Sequence, residues 1–154
     1  MITISQEAEE WFKHIKYTGA PMMDAFHMCF IIGVHAALKD KRMTILDYNH
    51  GKQFASKGIP SDYQSSFPAS IGLMLEAELE RKTYDREDKD ALSRFLNTYL
   101  SAESNVKMTS DGAKLMSNYS YKGFEILKAK IEKAPANKII FIKEYTEILK
   151  EYIE

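Results

Sequence analysis

Apolar residues recur at helical spacing in several separate stretches of the chain. Near the N-terminus, four apolar residues fall on one face of a helix: Ala8, Trp11, Phe12 and Ile15. Ser5 is a favoured N-cap for this helix. Gly19 and Pro21 predict its end, because glycine accepts a left-handed C′ conformation and proline cannot continue the hydrogen-bond ladder.

The second predicted helix, from Pro21 to about Leu38, is apolar on nearly all of its sides. A helix of this kind is typical of the centre of a core, since it has no polar face to present to water. We therefore expect Phe30 and Ile31 to be buried.

The periodic pattern fails between Asp47 and Pro68, where glycine, proline, serine and aspartate are frequent. This composition predicts a long loop at 47–68, of the kind that is often mobile or functional. The same stretch has room for a short helix, because Phe54 and Tyr63 need apolar surroundings.

Four more amphipathic stretches complete the pattern. Their predicted positions are Ser66 to Lys82, a helix capped by Asp85, Thr109 to Ile131, and a last helix after Pro135. Gly112 and Gly123 weaken the third of these and could split it, and Ile139 to Ile142 could form a buried strand. The sequence predicts an all-α fold, with about six helices in a single compact domain over residues 1–154.

Composition narrows the class of protein. The chain has 21 Lys and Arg against 22 Asp and Glu, and this near-balance argues against a chain dominated by attraction to nucleic acid. The N-terminal residues lack the basic and apolar regions of a signal peptide. The longest apolar run, Ala25 to Leu38, is interrupted by two histidines and is shorter than a membrane span. We expect a cytoplasmic protein that does not enter the membrane.

One apolar stretch, Asp24 to Lys39, also contains two histidines and the single cysteine. His27 and His35 lie roughly 12 Å apart along a helix axis, so they cannot share a metal. Asp24 and His27 share a face, but a di-iron site needs a second copy of such a motif. Cys29 points nearly opposite to His27. We expect a core helix that binds no metal or cofactor, while a small enzyme with a site near His27 and Cys29 is an alternative.

The last predicted helix has an unusually wide apolar face. At helical spacing, one stripe contains Phe141, Tyr145, Ile148, Leu149 and Tyr152. Ile140 and Ile142 lie outside that stripe, and a monomer of this size has limited room to cover both. We therefore expect part of this helix to pack against a protein partner or a second copy of the chain.

Residues 4–38 resemble the start of the small subunit of bacterial DNA sulfur-modification (Dnd) systems. The residues that carry the resemblance are "ISQEAEEWFKHIKYTGAPMMDAFHMCFIIGV", a short helix with apolar and lysine positions, Thr18-Gly19, and a long apolar helix. The resemblance implies a small, helical, self-associating protein that contacts DNA through lysines. By this resemblance Lys13 and Lys16 would contact phosphates.

These observations favour a non-catalytic interaction subunit of a prokaryotic or phage multi-protein assembly that acts in DNA modification or defence. The chain has no Walker A loop, dinucleotide-binding glycine motif, nucleophile elbow or zinc-protease motif, and the absence of these motifs argues against a nucleotide-driven or hydrolytic enzyme. One alternative is a DNA-binding accessory protein with a local basic face, whose candidate residues are Lys13, Lys16, Lys39, Lys41 and Arg42.

Overall fold

The computed structural model of the chain describes residues 2–48, 50–55, 57–83 and 85–154. Within these ranges it is an all-α domain with one small sheet, as the sequence predicts. The strands are β1 (Ile2–Ile4) and β2 (Lys52–Phe54), and the helices are α1 (Gln6–Trp11), α2 (Pro21–Lys39), α3 (Ser61–Gln64), α4 (Phe67–Lys82), α5 (Lys89–Tyr99), α6 (Ser110–Lys130) and α7 (Lys138–Ile153).

Side-chain caps begin several helices. Ser5 accepts a hydrogen bond from the backbone N–H of Ala8 at 2.9 Å, and Thr109 caps α6 in the same way, so both predicted caps are confirmed. The prediction of Asp85 as a cap is wrong. Asp85 instead closes a preceding turn by accepting from the N–H of Glu87, and Asp88 caps α5.

Helix α1 ends at Trp11, earlier than the glycine and proline signals predict. The following residues turn back toward α2, because the backbone N–H groups of Tyr17 and Thr18 donate to the Asp24 carboxylate. These hydrogen bonds to the buried carboxylate of α2 hold Tyr17 and Thr18 in a turn outside α1.

Helix α2 lies at the centre of the core, where it packs against α6, α4, α7 and α1. Phe30 is 1% exposed, which confirms its predicted burial, whereas Ile31 is only partly buried. By length and composition alone α2 could cross a membrane, a property that buried core helices share.

The axes of α2 and α6 approach so closely that their backbones touch. A Cβ atom on Gly123 would lie 1.6 Å from the carbonyl oxygen of Cys29, and one on Gly33 would lie 1.9 Å from that of Tyr119. Helix α6 runs unbroken through Gly112 and Gly123, so these glycines permit close packing and do not split the helix.

The small sheet joins the N-terminus to the middle of the chain. Ile2 pairs with Phe54 and Ile4 with Lys52 in antiparallel register, and the Thr3 N–H donates to Ser117 of α6 at 2.9 Å. The predicted loop at 47–68 therefore contains β2 and α3, the second of which is the short helix that the sequence allowed for. Positions 49 and 56 of that loop lie outside the described residues.

Helix α7 covers α2 and α1 from one side. Asn137 caps it by accepting from the N–H groups of Ile139 and Ile140, so the segment Ile139 to Ile142 is helical and the alternative of a buried strand is wrong. The Tyr145 hydroxyl donates to the carbonyl oxygen of Met28 at 2.7 Å and fixes α7 to α2.

The substitution Gly123→Ala should lower the free energy of unfolding by about 3 kcal/mol, the upper end of the usual range for overpacking a core, because its new methyl group forces α2 and α6 apart. Gly72→Ala is the matched control, since a Cβ there meets nothing within 4 Å in the exposed middle of α4. The control should raise stability by about 0.5–1 kcal/mol. Urea unfolding measures both changes, and equal effects of the two substitutions would contradict the close approach.

Candidate functional site

The Asp24 carboxylate, which is 1% exposed, connects three segments of the chain. Its Oδ2 accepts from the N–H groups of Tyr17 and Thr18 at 2.9 and 3.0 Å. Its Oδ1 accepts from the Thr18 hydroxyl at 2.7 Å and from the Tyr63 hydroxyl. Four donors fill the four acceptor positions of a carboxylate, so Asp24 is an anchor for the 12–20 turn and α3.

Burial alone would raise the pKa of the Asp24 carboxyl, because burial disfavours the charged form. The hydrogen bonds from Tyr63, Thr18 and Tyr17 outweigh this effect and leave the pKa below its ordinary value. The group is therefore ionised at neutral pH, with all of its lone pairs directed at protein donors. A metal ion or a substrate proton would have to displace one of these donors.

The two residues of the alternative enzyme site lie in different surroundings. His27 is half-buried against the Tyr63 ring at a centroid distance of 5.2 Å, and burial lowers its pKa although Asp24 opposes this. Cys29 is 1% exposed, and burial raises the pKa of its thiol. A buried, protonated thiol is a poor nucleophile. In the described ranges, no cluster of three or more His, Cys, Asp or Glu side chains could hold a metal.

The predicted basic residues fall into two groups. Lys13 and Lys16 lie near the start of α2, whereas Lys39, Lys41 and Arg42 lie at or beyond its end. A 19-residue helix is about 28 Å long, so the fold separates the two groups by most of the domain.

Carboxylates offset several of these cations. Lys13 pairs with Glu10 at 2.8 Å, and Lys41 pairs with Glu80 at 2.7 Å. Lys13 and Lys16 line a groove of about 1070 Å³ whose wall also carries three glutamates of α1. Phosphate binding there would require the glutamates to turn away, so DNA binding through these lysines stays a prediction.

A buried ion pair lies on α4, where the Glu78 side chain, 1% exposed, accepts from Arg81 at 2.7 Å. It borders a cleft of about 310 Å³. Nearby, burial raises the pKa of Tyr119 to about 12, with the Glu78 charge adding to the effect. The cleft is lined by three acidic and three basic side chains: Asp47, Glu78, Asp111, Arg81, Lys82 and Lys114. Because these charges balance, the cleft favours neither an anion nor a cation.

The five residues predicted to face a partner on the last helix are directed toward this chain's own core. Phe141, Tyr145 and Ile148 are 1%, 7% and 7% exposed, and Leu149 and Tyr152 are partly buried against the same core. The first three have no free surface to offer a partner.

Helix α7 exposes a different set of apolar residues. Ile139 is 64% exposed, Ile142 38% and Ile153 56%. With about 100° of rotation per residue, these three share an arc of roughly 80° with Thr146 and Leu149. We call this set the α7 seam: Ile139, Ile142, Thr146, Leu149 and Ile153. Leu149 lies at the edge of the seam next to the core and is only partly exposed.

The α7 seam has the alternating three- and four-residue spacing of the a and d positions of a coiled coil. Lys143 and Lys150 follow the seam on its solvent side, in the e positions. Ile140 is 58% exposed but lies about 140° from the middle of the seam, among charged residues. The heptad spacing is visible in the sequence, but periodicity does not show which of two adjoining apolar stripes the core covers.

No protein-family model matches the chain, and neither the curated proteins nor the solved structures include a match. The resemblance of residues 4–38 to the Dnd small subunit therefore stays a prediction.

Replacing Asp24 by Asn should lower the free energy of unfolding by about 1.5–3 kcal/mol, the range for hydrogen bonds to a charged group. Because folding depresses the pKa of Asp24, its contribution is fully present above the unfolded value of about 4. That contribution is lost as pH falls through the lower folded-state pKa.

Denaturant unfolding of wild type, Asp24→Asn and the exposed control Asp62→Asn between pH 7 and pH 2 measures this linkage. The stability difference between wild type and Asp24→Asn should shrink below about pH 4, whereas Asp62→Asn should follow wild type throughout. A difference that stays constant down to pH 2 would show that ionised Asp24 is not the anchor.

Proposed function

We propose that the chain is a non-catalytic interaction subunit that binds a helix of another protein along the α7 seam. The observation that carries this proposal is a stripe at heptad spacing in which Ile139, Ile142 and Ile153 are exposed, beside a helix face that is already buried. The seam extends for about 21 Å along α7, the length of two heptads. Such a ridge is suited to knobs-into-holes packing with one further helix.

The buried half of α7 explains why the seam is rigid enough to bind. Phe141 contacts the rings of Trp11 and Phe12 at centroid distances of 6.0 and 5.6 Å, and Tyr145 is hydrogen-bonded to α2. The helix is therefore fixed before a partner arrives. A partner helix would lose its own conformational freedom while α7 would lose little.

Charge favours a partner with acidic flanks over a second copy of this chain. In an antiparallel pair of α7 helices, the e positions of both copies face each other, which would bring Lys143 and Lys150 of one copy near those of the other. On the opposite flank, Tyr145 and Tyr152 pack against the core and leave no charge to compensate. Glutamate or aspartate beside the apolar stripe of the partner would pair with Lys143 and with Lys150, whose own ion pair with Glu147 at 3.4 Å is exposed and weak.

The assembly in which such a subunit would work is a separate proposal. A setting in DNA modification or defence rests on the resemblance at residues 4–38. The ion pairs of Lys13 and Lys41 with glutamates argue against the alternative of a DNA-binding accessory protein. The buried thiol of Cys29, whose pKa is raised, argues against the alternative of an enzyme.

Ile139→Asp should abolish partner binding, whereas Ile140→Asp should not. The two residues are adjacent and similarly exposed, but only Ile139 lies in the seam. Tagged wild type and both variants are to be expressed in the cells that produce the protein, and co-purified proteins quantified by mass spectrometry. We expect a partner that Ile140→Asp retains and Ile139→Asp reduces at least tenfold.

Equal capture by the two variants, or no protein above a mock purification, would contradict the proposal. Sedimentation velocity across concentration covers the remaining case: a dimer lost only in Ile139→Asp would mean that a second copy occupies the seam. Unchanged thermal midpoints confirm that both variants are folded.

The charge preference is testable with a designed three-heptad helical peptide that has leucine at its a and d positions. A version with glutamate at e and g should bind wild type at least tenfold more tightly than a version with lysine there. The double variant Lys143→Glu/Lys150→Glu should reverse this order. Isothermal titration calorimetry measures the affinities, and an unchanged order in the double variant would remove the role of these lysines.

A further inference from the structure

Another concave surface, which α7 does not line, lies beside the start of α4. It has a volume of about 720 Å³ and is bordered by the 57–59 and 100–107 segments. We call it the α4 groove. Its apolar wall includes Ile59, Phe67, Ile71, Leu100 and Val106. A volume between about 300 and 1,000 Å³ with mostly apolar lining is typical of small-molecule sites.

Hydrogen bonds order both loops that border the α4 groove. On one side the Gly58 N–H donates to the Ala55 carbonyl oxygen at 3.1 Å, and Gly58 has a φ of 113°. On the other side the Lys107 N–H donates to Ser104 at 3.1 Å, and Lys107 has a φ of 62°. Residues other than glycine adopt such angles at a cost, which the surrounding contacts must offset. The groove is therefore formed before any ligand enters.

The charges on the α4 groove have one sign. Lys57 and Lys107 are the charged residues that line it, and no carboxylate among the described residues does so. Neither lysine forms an ion pair within the described part of the chain, although Lys107 donates to the Ala102 carbonyl oxygen at 3.0 Å. Lysine side chains can lay their methylene groups along an apolar surface and keep the ammonium at its edge.

From these features we propose that the α4 groove binds a small amphiphile with one anionic headgroup, namely a free long-chain carboxylate. The hydrocarbon chain would lie along the half-buried side chains of Ile59 and Leu100, over the buried Phe67, and the carboxylate would meet the ammonium groups of Lys57 and Lys107. This pattern separates the groove from the cleft beside Glu78, where acids and bases are balanced.

The probe for this site is sodium decanoate below its micelle concentration, added to the full chain labelled with ¹⁵N. Amide NMR shifts should be confined to residues 57–71 and 100–107 and should saturate with one decanoate per chain. Butyrate tests the need for the apolar chain, and decyltrimethylammonium tests the need for the negative headgroup. Each should bind at least tenfold more weakly than decanoate.

The variant Lys57→Gln/Lys107→Asn removes both charges, and asparagine tolerates the left-handed backbone at position 107. Its affinity for decanoate should fall at least fivefold, while the exposed control Lys133→Asn should bind as wild type does. Shifts outside the groove, equal binding of the cationic amphiphile, or an unchanged affinity in the double variant would each overturn the proposal. If the double variant does not fold, Lys57→Gln alone decides the question, since Lys57 is exposed and its backbone is unaffected.

Discussion

The rest of the fold depends on the backbone contact between α2 and α6. Gly33 and Gly123 lie where each helix meets a carbonyl oxygen of the other, so that any side chain there would separate them. This contact brings the Ser120 hydroxyl within 2.9 Å of the Phe26 carbonyl oxygen, a hydrogen bond buried inside the helix pair. It also places the Ser117 hydroxyl where β1 can donate to it. The N-terminal strand is thus positioned by a helix more than a hundred residues away in sequence.

The contact with α6 covers only one side of α2, which is apolar nearly all round. The other sides are covered by α4, α1 and α7, and the Asp24 carboxylate closes the N-terminal end by holding the 12–20 turn and Tyr63. Helix α7 is the outermost of these layers. Its inner face completes the core, and its second apolar stripe remains at the surface as the α7 seam. The proposed interaction surface is therefore a consequence of how the core is closed.

Local patterns predicted the parts of this fold that local physics determines. The bounds of α2 follow from Pro21 and a long, mostly apolar run, and Ser5 and Thr109 cap helices because their oxygens accept from nearby N–H groups. Pairing of β1 with β2 was not predictable, since two three-residue strands some fifty residues apart have no periodic signal. Periodicity also indicated that α7 has apolar residues outside a single stripe. It could not show that Tyr145 faces the core and Ile139 the solvent. The α4 groove depends on loops brought together by tertiary structure, and no sequence motif marks it.

Native-state hydrogen exchange tests the central role of the α2–α6 contact most directly. The amides of Phe30, Gly33, Tyr119 and Gly123 should exchange only through global unfolding, with free energies equal to that measured by denaturant. Amides of α5, where Phe95 is the buried residue, should exchange through smaller openings at lower free energy. If the amides of α2 and α6 exchanged as easily as those of α5, the glycine contact would not be the interaction on which the fold depends.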